Sequence, residues 1–173
     1  MDGENEFEEI IRILKQESGN NINDEEYREN QKERYMTMKL EDLKKIKPLW
    51  ATDELMHHNI GNPPGDLDNL EHISINTIQL IEAVNFQELN PKNLFSTKQS
   101  SNMSFVTTLI RWENGQPVDP PTLCYNKEKE YLEFTDGRHR AILAHHLGQA
   151  CIPVAIHRYS KQFLIERVKL CPS

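Results

Sequence analysis

Long apolar runs are missing from this sequence, and none approaches the roughly 20 residues that a membrane-spanning helix needs. We expect no secretory signal either, because the first residues, "MDGENEFEE", are acidic where a signal peptide is basic and then apolar. The three cysteines, Cys124, Cys151 and Cys171, form no CxxC pair. Free cysteines in apolar runs behave as small buried hydrophobes. We therefore expect reduced thiols, no membrane contact and a cytoplasmic location.

Basic charge is scarce in the first part of the chain. Residues 1–72 carry 18 Asp and Glu against 9 Lys and Arg, whereas residues 73–173 carry 9 against 11. A nucleic-acid partner requires Lys and Arg on the binding face. The acidic balance therefore argues against DNA as a partner, and any anion-binding site in the second part must be local.

Residues 1–65 have the pattern of an acidic helical extension. The stretch "EEYRENQKERYMTMKLEDLKKI" (25–46) is highly charged with a weak apolar stripe, which predicts a solvated helix lying on the domain. The alternative is an arm that binds a protein partner or forms oligomers. "GNPPGDLDN" (61–69) is rich in turn residues and predicts the start of a second unit, residues 66–173. We expect that unit to fold without the extension.

The second unit alternates between helix and strand patterns. "SNMSFVTTLIRWENG" predicts a helix that ends before Gly115, and "PPTLCY" and "YLEFTD" predict strands joined by the turn "NKEK". A helix is predicted from Arg138 to Leu147, then the strand "CIPVAIH", whose Pro153 favours an edge or a strand start. Upstream, "ISINTIQLIEAVNFQELNP" combines a helix pattern with a strand around Val84–Leu89. The order predicts a small α/β (α+β) fold, a mixed sheet flanked by helices.

The segment "TDGRHR" places positive charge at the start of a predicted helix. A helix N-terminus presents unpaired N–H groups and about half a positive charge, which favours an anion. Gly137 lets the backbone turn sharply, and Arg138 or Arg140 can hold two phosphate oxygens. His139 can donate to a phosphate or exchange a proton near neutral pH. The alternative is a salt bridge from Asp136 to an arginine that only orders the turn.

The same segment carries a family resemblance. "FTDGRHRAILAHHLGQACIPVAI", preceded by "LIRWENGQPVDPPTL", resembles the signature of the ParB/sulfiredoxin superfamily, and the similarity spans about Val84 to Arg158. The resemblance implies a ParB/sulfiredoxin-like fold for this part of the chain. It also implies that the turn Gly137–Arg140 holds the phosphates of a nucleotide, either ATP or ADP or else CTP.

The resemblance further implies a contribution from the preceding helix. In sulfiredoxins a serine and a threonine one helical turn apart contact the phosphates, and Ser104 and Thr108 of "SFVTTL" have that spacing. The spacing puts both hydroxyls on one helix face. The alternative is that both hydroxyls bond only to their own helix backbone. The lysine that usually stands one turn before the serine is replaced by Ser101.

Two departures from the family patterns argue against two family activities. The sulfiredoxin nucleophile is a cysteine between Gly and His, and Arg138 stands in that position, so we expect no sulfinic acid reductase activity. Partitioning ParB proteins carry a DNA-reading helical domain after this segment, and the 15 residues after Arg158 are too few for it.

The sequence of the turn is more similar to that of the superfamily's free-serine kinases, and this resemblance implies phosphoryl transfer. Such a reaction needs a carboxylate base and acids that hold Mg²⁺. Asp136 is the candidate Mg²⁺ ligand, Glu88 the candidate base and His139 a further catalytic candidate. We therefore predict a nucleotide-binding protein that performs Mg²⁺-dependent phosphoryl transfer or nucleotide hydrolysis. The alternatives are a non-catalytic nucleotide-sensing or partner-binding protein, and a ParB-like nuclease or DNA-binding protein.

Overall fold

The computed structural model describes residues 25–52, 70–95 and 99–172. In these ranges the helices are α1 (Glu25–Thr37), α2 (Leu40–Leu43), α3 (Thr77–Ala83), α4 (Gln99–Glu113), α5 (Arg138–His146) and α6 (Lys161–Ile165). The strands are β1 (Leu70–Asn76), β2 (Val84–Asn85), β3 (Thr122–Asn126), β4 (Tyr131–Asp136) and β5 (Cys151–His157), and a 3₁₀ turn spans Arg158–Ser160. The predicted boundary at residue 66 lies outside the described residues.

The five described strands form one mixed sheet in the order β1-β5-β3-β4-β2. Strand β5 pairs antiparallel with β1 and parallel with β3, whereas β4 pairs antiparallel with β3 and parallel with β2. Helix α5 packs against both α3 and α4. The predicted α+β class, a mixed sheet flanked by helices, is confirmed.

The helices and strands predicted from residue 101 onward are confirmed, and glycines follow two of the helices. Helix α4 ends at Glu113, and Gly115 has a φ of +68°. Helix α5 ends at His146, and Gly148 has a φ of +80°. A glycine with positive φ adopts the left-handed conformation without steric cost, so it stops a helix where its side-chain pattern ends.

Of the two positions predicted for Pro153, the edge strand is wrong, because β5 lies between β1 and β3, whereas Pro153 does lie near the strand start, as the third residue of β5. Pro153 is nonetheless accommodated without a lost hydrogen bond to β3. The N–H of Ala155 points toward the β3 side and donates to the carbonyl of Pro121 at 2.9 Å. Pro153 is two residues earlier, so its nitrogen faces the same side, where β3 has not yet begun.

The segment that mixed helix and strand patterns divides into three elements. Strand β1 continues directly into α3, and the side chain of Asn76 caps that helix by accepting the N–H of Gln79 at 3.0 Å. An asparagine N-cap satisfies one of the free donors at a helix start, which fixes the change from strand to helix. The strand predicted around Val84–Leu89 is short, because β2 ends at Asn85.

Residues 25–52 pack into the same core as the sheet. Tyr35 is fully buried, and Leu43 and Ile46 are buried with it. The helix predicted over residues 25–46 is interrupted, because Lys39 is extended between α1 and α2. Only the outer face of residues 25–46 is therefore solvated as predicted, and the inner face packs into the core.

A partly exposed cluster of polar groups joins α1 to α4. The carboxylate of Glu113 accepts the Tyr35 hydroxyl at 2.7 Å and both terminal nitrogens of Arg34 at 2.6 and 2.7 Å. Burial raises the pKa of the Tyr35 phenol, which therefore stays protonated and donates. The Arg34 guanidinium lowers the pKa of Glu113, which keeps the carboxylate ionised.

The prediction of free thiols is wrong for two of the three cysteines. Cys151 and Cys171 form a disulfide, whereas Cys124 is a free, partly exposed thiol. Burial, followed by the nearby Glu133 carboxylate, raises the pKa of Cys124, so this thiol is held in its protonated form. None of the helices in the described ranges has the length and apolarity to span a bilayer.

Candidate functional site

The turn between β4 and α5 requires a glycine at position 137. Gly137 caps α5 with a φ of +82°, in the left-handed region that side chains disfavour. A Cβ atom at this position would lie 2.7 Å from the Pro121 Cα and 2.9 Å from an Arg140 nitrogen. The turn therefore brings backbone from two segments into close contact next to the helix N-terminus.

Asp136 and Arg140 hold the turn together. One oxygen of the Asp136 carboxylate accepts the Gly137 N–H at 2.7 Å, and the other pairs with the Arg140 guanidinium. A second Arg140 nitrogen donates to the carbonyl of Asp119 at 2.7 Å. The Arg140 side chain is only 14% exposed. The ion pair weighed as an alternative from the sequence is thus present, and Arg140 has a structural role.

Arg138 is the arginine that lies at the mouth of the turn. It donates to the Gln87 side-chain oxygen at 3.0 Å in a solvent-exposed contact. Because β2 and β4 run parallel, the chain segments that follow Asn85 and Asp136 leave the sheet at the same edge. Ligands of sheets with parallel strands bind beyond the carboxyl ends of the strands. Arg138 therefore offers a guanidinium at the position where an anion would approach.

His139 is turned toward the protein interior. Its ring meets Phe105 of α4 edge to face, with the ring centroids 5.2 Å apart. The buried Nε2 atom has no hydrogen-bond partner among the described residues. Burial, followed by the charges of Arg138 and Arg140, lowers the pKa of His139 to about 4. The imidazole is therefore neutral at pH 7 and contributes no positive charge to the turn.

The low pKa of His139 predicts a specific loss of stability in mild acid. Between the ordinary histidine pKa of about 6.5 and the folded value of about 4, the unfolded chain binds more protons. We therefore expect the free energy of unfolding to fall as the pH is lowered through this window. Urea unfolding at each pH measures this free energy. Its slope against pH should be smaller for His139→Gln than for the wild type. Equal slopes in the two proteins would contradict a buried, neutral His139.

Ser104 and Thr108, the predicted phosphate contacts, lie on α4, the helix that contacts His139. The Thr108 hydroxyl donates to the Ser104 carbonyl at 3.0 Å, and the Thr108 side chain is buried. The bond to the helix backbone, which the sequence left open, is therefore present for Thr108. Ser104 is partly exposed. A hydroxyl that donates to a carbonyl keeps its lone pairs, but it must rotate to donate to a phosphate.

The two acids proposed for chemistry have different positions. Both oxygens of Asp136 already accept bonds within the turn, so a Mg²⁺ ion would compete with Arg140 for one of them. Glu88 is exposed and lies in the turn after β2. No group of three His, Cys, Asp or Glu residues that could hold a metal occurs in the ranges that the structure describes.

Three residues next to the turn were not anticipated from the sequence. They are Gln87, which bonds Arg138, and Asp119 and Pro121, which contact Arg140 and Gly137. The signal for the last two is the stretch "DPP" (119–121) before β3, which fixes the backbone beside the turn. Gln87 has a φ of +58°, which a sequence pattern does not reveal for a residue other than glycine.

No protein-family model matches the chain, and neither a curated protein nor a solved structure matches it.

Proposed function

We propose that the chain binds the phosphate groups of a nucleotide at the N-terminus of α5, in the turn Gly137–Arg140. The observation that carries the proposal is the His139 imidazole, whose buried Nε2 has no hydrogen-bond partner in the described part of the chain. Buried polar atoms of proteins are nearly always bonded, so an atom left open is available to a ligand or to a water molecule. The ring faces the interior in this structure, so binding requires the imidazole to turn toward the helix N-terminus, where Nε2, in the tautomer that carries its proton there, donates to a phosphate oxygen.

Charge in the turn supports an anionic ligand. Arg138 and Arg140 outnumber Asp136 by one charge, and the helix N-terminus adds its own partial positive charge. Arg140 keeps the turn in shape, whereas the guanidinium of Arg138 is free to exchange its contact with Gln87 for one with a phosphate. A bidentate bond from an arginine to a phosphate is stronger than its bond to a neutral amide.

The proposed ligands are ATP, ADP or CTP, and Mg²⁺ would arrive bound to their phosphates. Phosphoryl transfer or nucleotide hydrolysis then needs a base, and Glu88 is the proposed one because it follows β2 at the same sheet edge as the turn. A non-catalytic nucleotide-sensing protein is the second candidate. This candidate is favoured because both oxygens of the Asp136 carboxylate already accept bonds within the turn, so they are less available to hold Mg²⁺.

A thermal-shift series tests the proposal. A nucleotide at a hundredfold excess over its dissociation constant stabilises the fold by about 2.7 kcal/mol. We expect one of ATP, ADP, CTP and GTP, with or without Mg²⁺, to raise the melting temperature by an amount that corresponds to this free energy. Arg138→Gln is expected to weaken the binding by about 1.5–3 kcal/mol, the range for hydrogen bonds to charged groups.

The matched control is Lys127→Gln, which removes an exposed cation from the turn at the other end of β4. It should leave the affinity unchanged. If no nucleotide raises the melting temperature, the proposal is rejected. If Arg138→Gln and Lys127→Gln lose the same affinity, the nucleotide is attracted only by the overall charge and not by the turn. Turnover by the wild type that Glu88→Gln slows without loss of affinity would favour the enzyme over the sensor.

Location and partners complete the proposal. The acidic composition fits a cytoplasmic protein, and the charged outer face of residues 25–46 is the proposed surface for a protein partner. Binding to DNA is the least favoured alternative, since the chain as a whole carries a formal charge of −7.

A further inference from the structure

Residues 168–172, here called the C-terminal segment, cover the outer edge of β1. The N–H of Asn76 donates to the Lys169 carbonyl, and the N–H of Cys171 donates to the Ser74 carbonyl, each at 2.9 Å. These bonds place the segment antiparallel to β1, with Ile75 opposite Leu170. The segment thus occupies the edge of the sheet that a free β1 would present to solvent.

Among the residues that the structure describes, few non-covalent contacts hold this segment in place. Val168 is buried, and the N–H of Lys169 donates to the Gln79 side chain at 2.7 Å. Leu170, by contrast, is 52% exposed. A short pair of strands with little buried apolar surface is marginally stable by itself. The segment therefore depends on a further restraint to remain paired.

The disulfide between Cys151 and Cys171 supplies that restraint. It joins the first residue of β5 to the C-terminal segment across a sequence separation of 20 residues. Both cysteines are partly exposed, so a reductant has access to the sulfur atoms. A covalent link of this kind restricts the opened state of the loop that it closes.

We propose that this disulfide is a redox-controlled clamp on the C-terminal segment. In the oxidised protein the clamp holds the segment on β1. A dithiol reductant attacks one sulfur, forms a mixed disulfide and closes to its own disulfide, so Cys151 and Cys171 gain two electrons and two protons and become thiols. The segment then separates from β1 and exposes the backbone groups of Ser74 and Asn76.

The clamp reconciles a disulfide with the proposed cytoplasmic location. Disulfides in reducing compartments are transient and are used for catalysis or redox sensing. Its release would act on α3 as well as on β1, because Asn76 both pairs with the segment and caps that helix. An exposed β1 edge is a template for pairing with another extended chain.

Amide hydrogen exchange on the full chain tests the clamp. We compare the oxidised wild type, the wild type reduced with a dithiol, and Cys171→Ser. The amides at positions 76 and 171 should exchange about tenfold faster or more in the second and third samples, whereas the amide of Ile156 in β5 should not change. Cys124→Ser, which leaves the clamp intact, should match the oxidised wild type.

Equal protection at positions 76 and 171 in the oxidised and reduced proteins would overturn the proposal, since the segment would then stay paired without the clamp. A uniform increase that includes Ile156 would also overturn it, because the disulfide would then stabilise the whole fold. Peptide mapping of the oxidised protein must find Cys151 linked to Cys171, and a failure to find this linkage would reject the clamp.

Discussion

Replacing Gly137 by alanine is expected to destabilise the protein by about 2–5 kcal/mol, the sum of about 1–2 kcal/mol of backbone strain and about 1–3 kcal/mol of overpacking. The new Cβ atom would lie 2.7 Å from the backbone of Pro121, which cannot rotate away as a side chain can. The turn must then open, and the bonds from Asp136 and Arg140 that shape it are lost. Urea unfolding followed by circular dichroism measures the loss.

Gly148→Ala is the matched control. Gly148 has a φ of +80°, close to the +82° of Gly137, but no atom of the described part of the chain lies within 4 Å of a Cβ atom built there. This variant therefore carries only the backbone strain, about 1–2 kcal/mol. Equal losses in the two variants would mean that the close approach to Pro121 is relaxed at no cost, and that the turn is less tightly constrained than the structure indicates.

Removal of residues 1–65 is expected to abolish cooperative folding, which is the opposite of what the sequence pattern suggested. The truncated protein lacks Tyr35, Leu43 and Ile46, which are buried in the common core. Loss of one large buried side chain costs about 2–5 kcal/mol, so three of them approach the total stability of a typical domain. The Glu113 carboxylate would also lose both of its partners from α1.

The truncation is measured by near-ultraviolet circular dichroism and thermal unfolding of residues 66–173. Two single substitutions in the full chain refine the result. Tyr35→Ala should cost about 3–5 kcal/mol, whereas Met36→Ala, at a side chain that is 45% exposed, should cost little. A truncated protein that unfolds cooperatively at the wild-type temperature would show that residues 25–52 are not needed for the core.

Local patterns were sufficient to predict the elements around the candidate site. The alternation of the apolar residues Leu132 and Phe134 in β4, the short turn between β3 and β4, and Gly148 after α5 are all sequence-local signals, and each is found in the structure. The same holds for the left-handed Gly137, since a glycine between a strand and a helix signals such a turn.

The contacts that decide the roles of the two arginines are not local. Arg140 bonds the carbonyl of Asp119, 21 residues away, and Arg138 bonds Gln87, 51 residues away. Two arginines two residues apart look equivalent in the sequence, and only the fold assigns one to the turn and the other to its mouth. His139 is similar, because its low pKa results from burial against α4.

The position of β5 and the disulfide were missed for a related reason. A proline disrupts a strand only where its nitrogen, which has no hydrogen to donate, faces a neighbouring strand. The short overlap of β3 with β5 leaves no strand beside the nitrogen of Pro153. Cys151 and Cys171 meet because the C-terminal segment returns to the sheet beside β1. Neither the position of β5 nor the disulfide can be predicted from residue spacing or composition.

The most direct test of the proposed site is a titration of the isotopically labelled protein with the nucleotide that stabilises it most, followed by amide chemical shifts. Binding at the turn predicts that the largest changes fall on Gly137, Arg138 and His139, and that Arg138→Gln reduces them at equal nucleotide concentration. Saturable binding with its largest changes outside residues 136–140, or no change at millimolar nucleotide, would contradict a phosphate site at the N-terminus of α5.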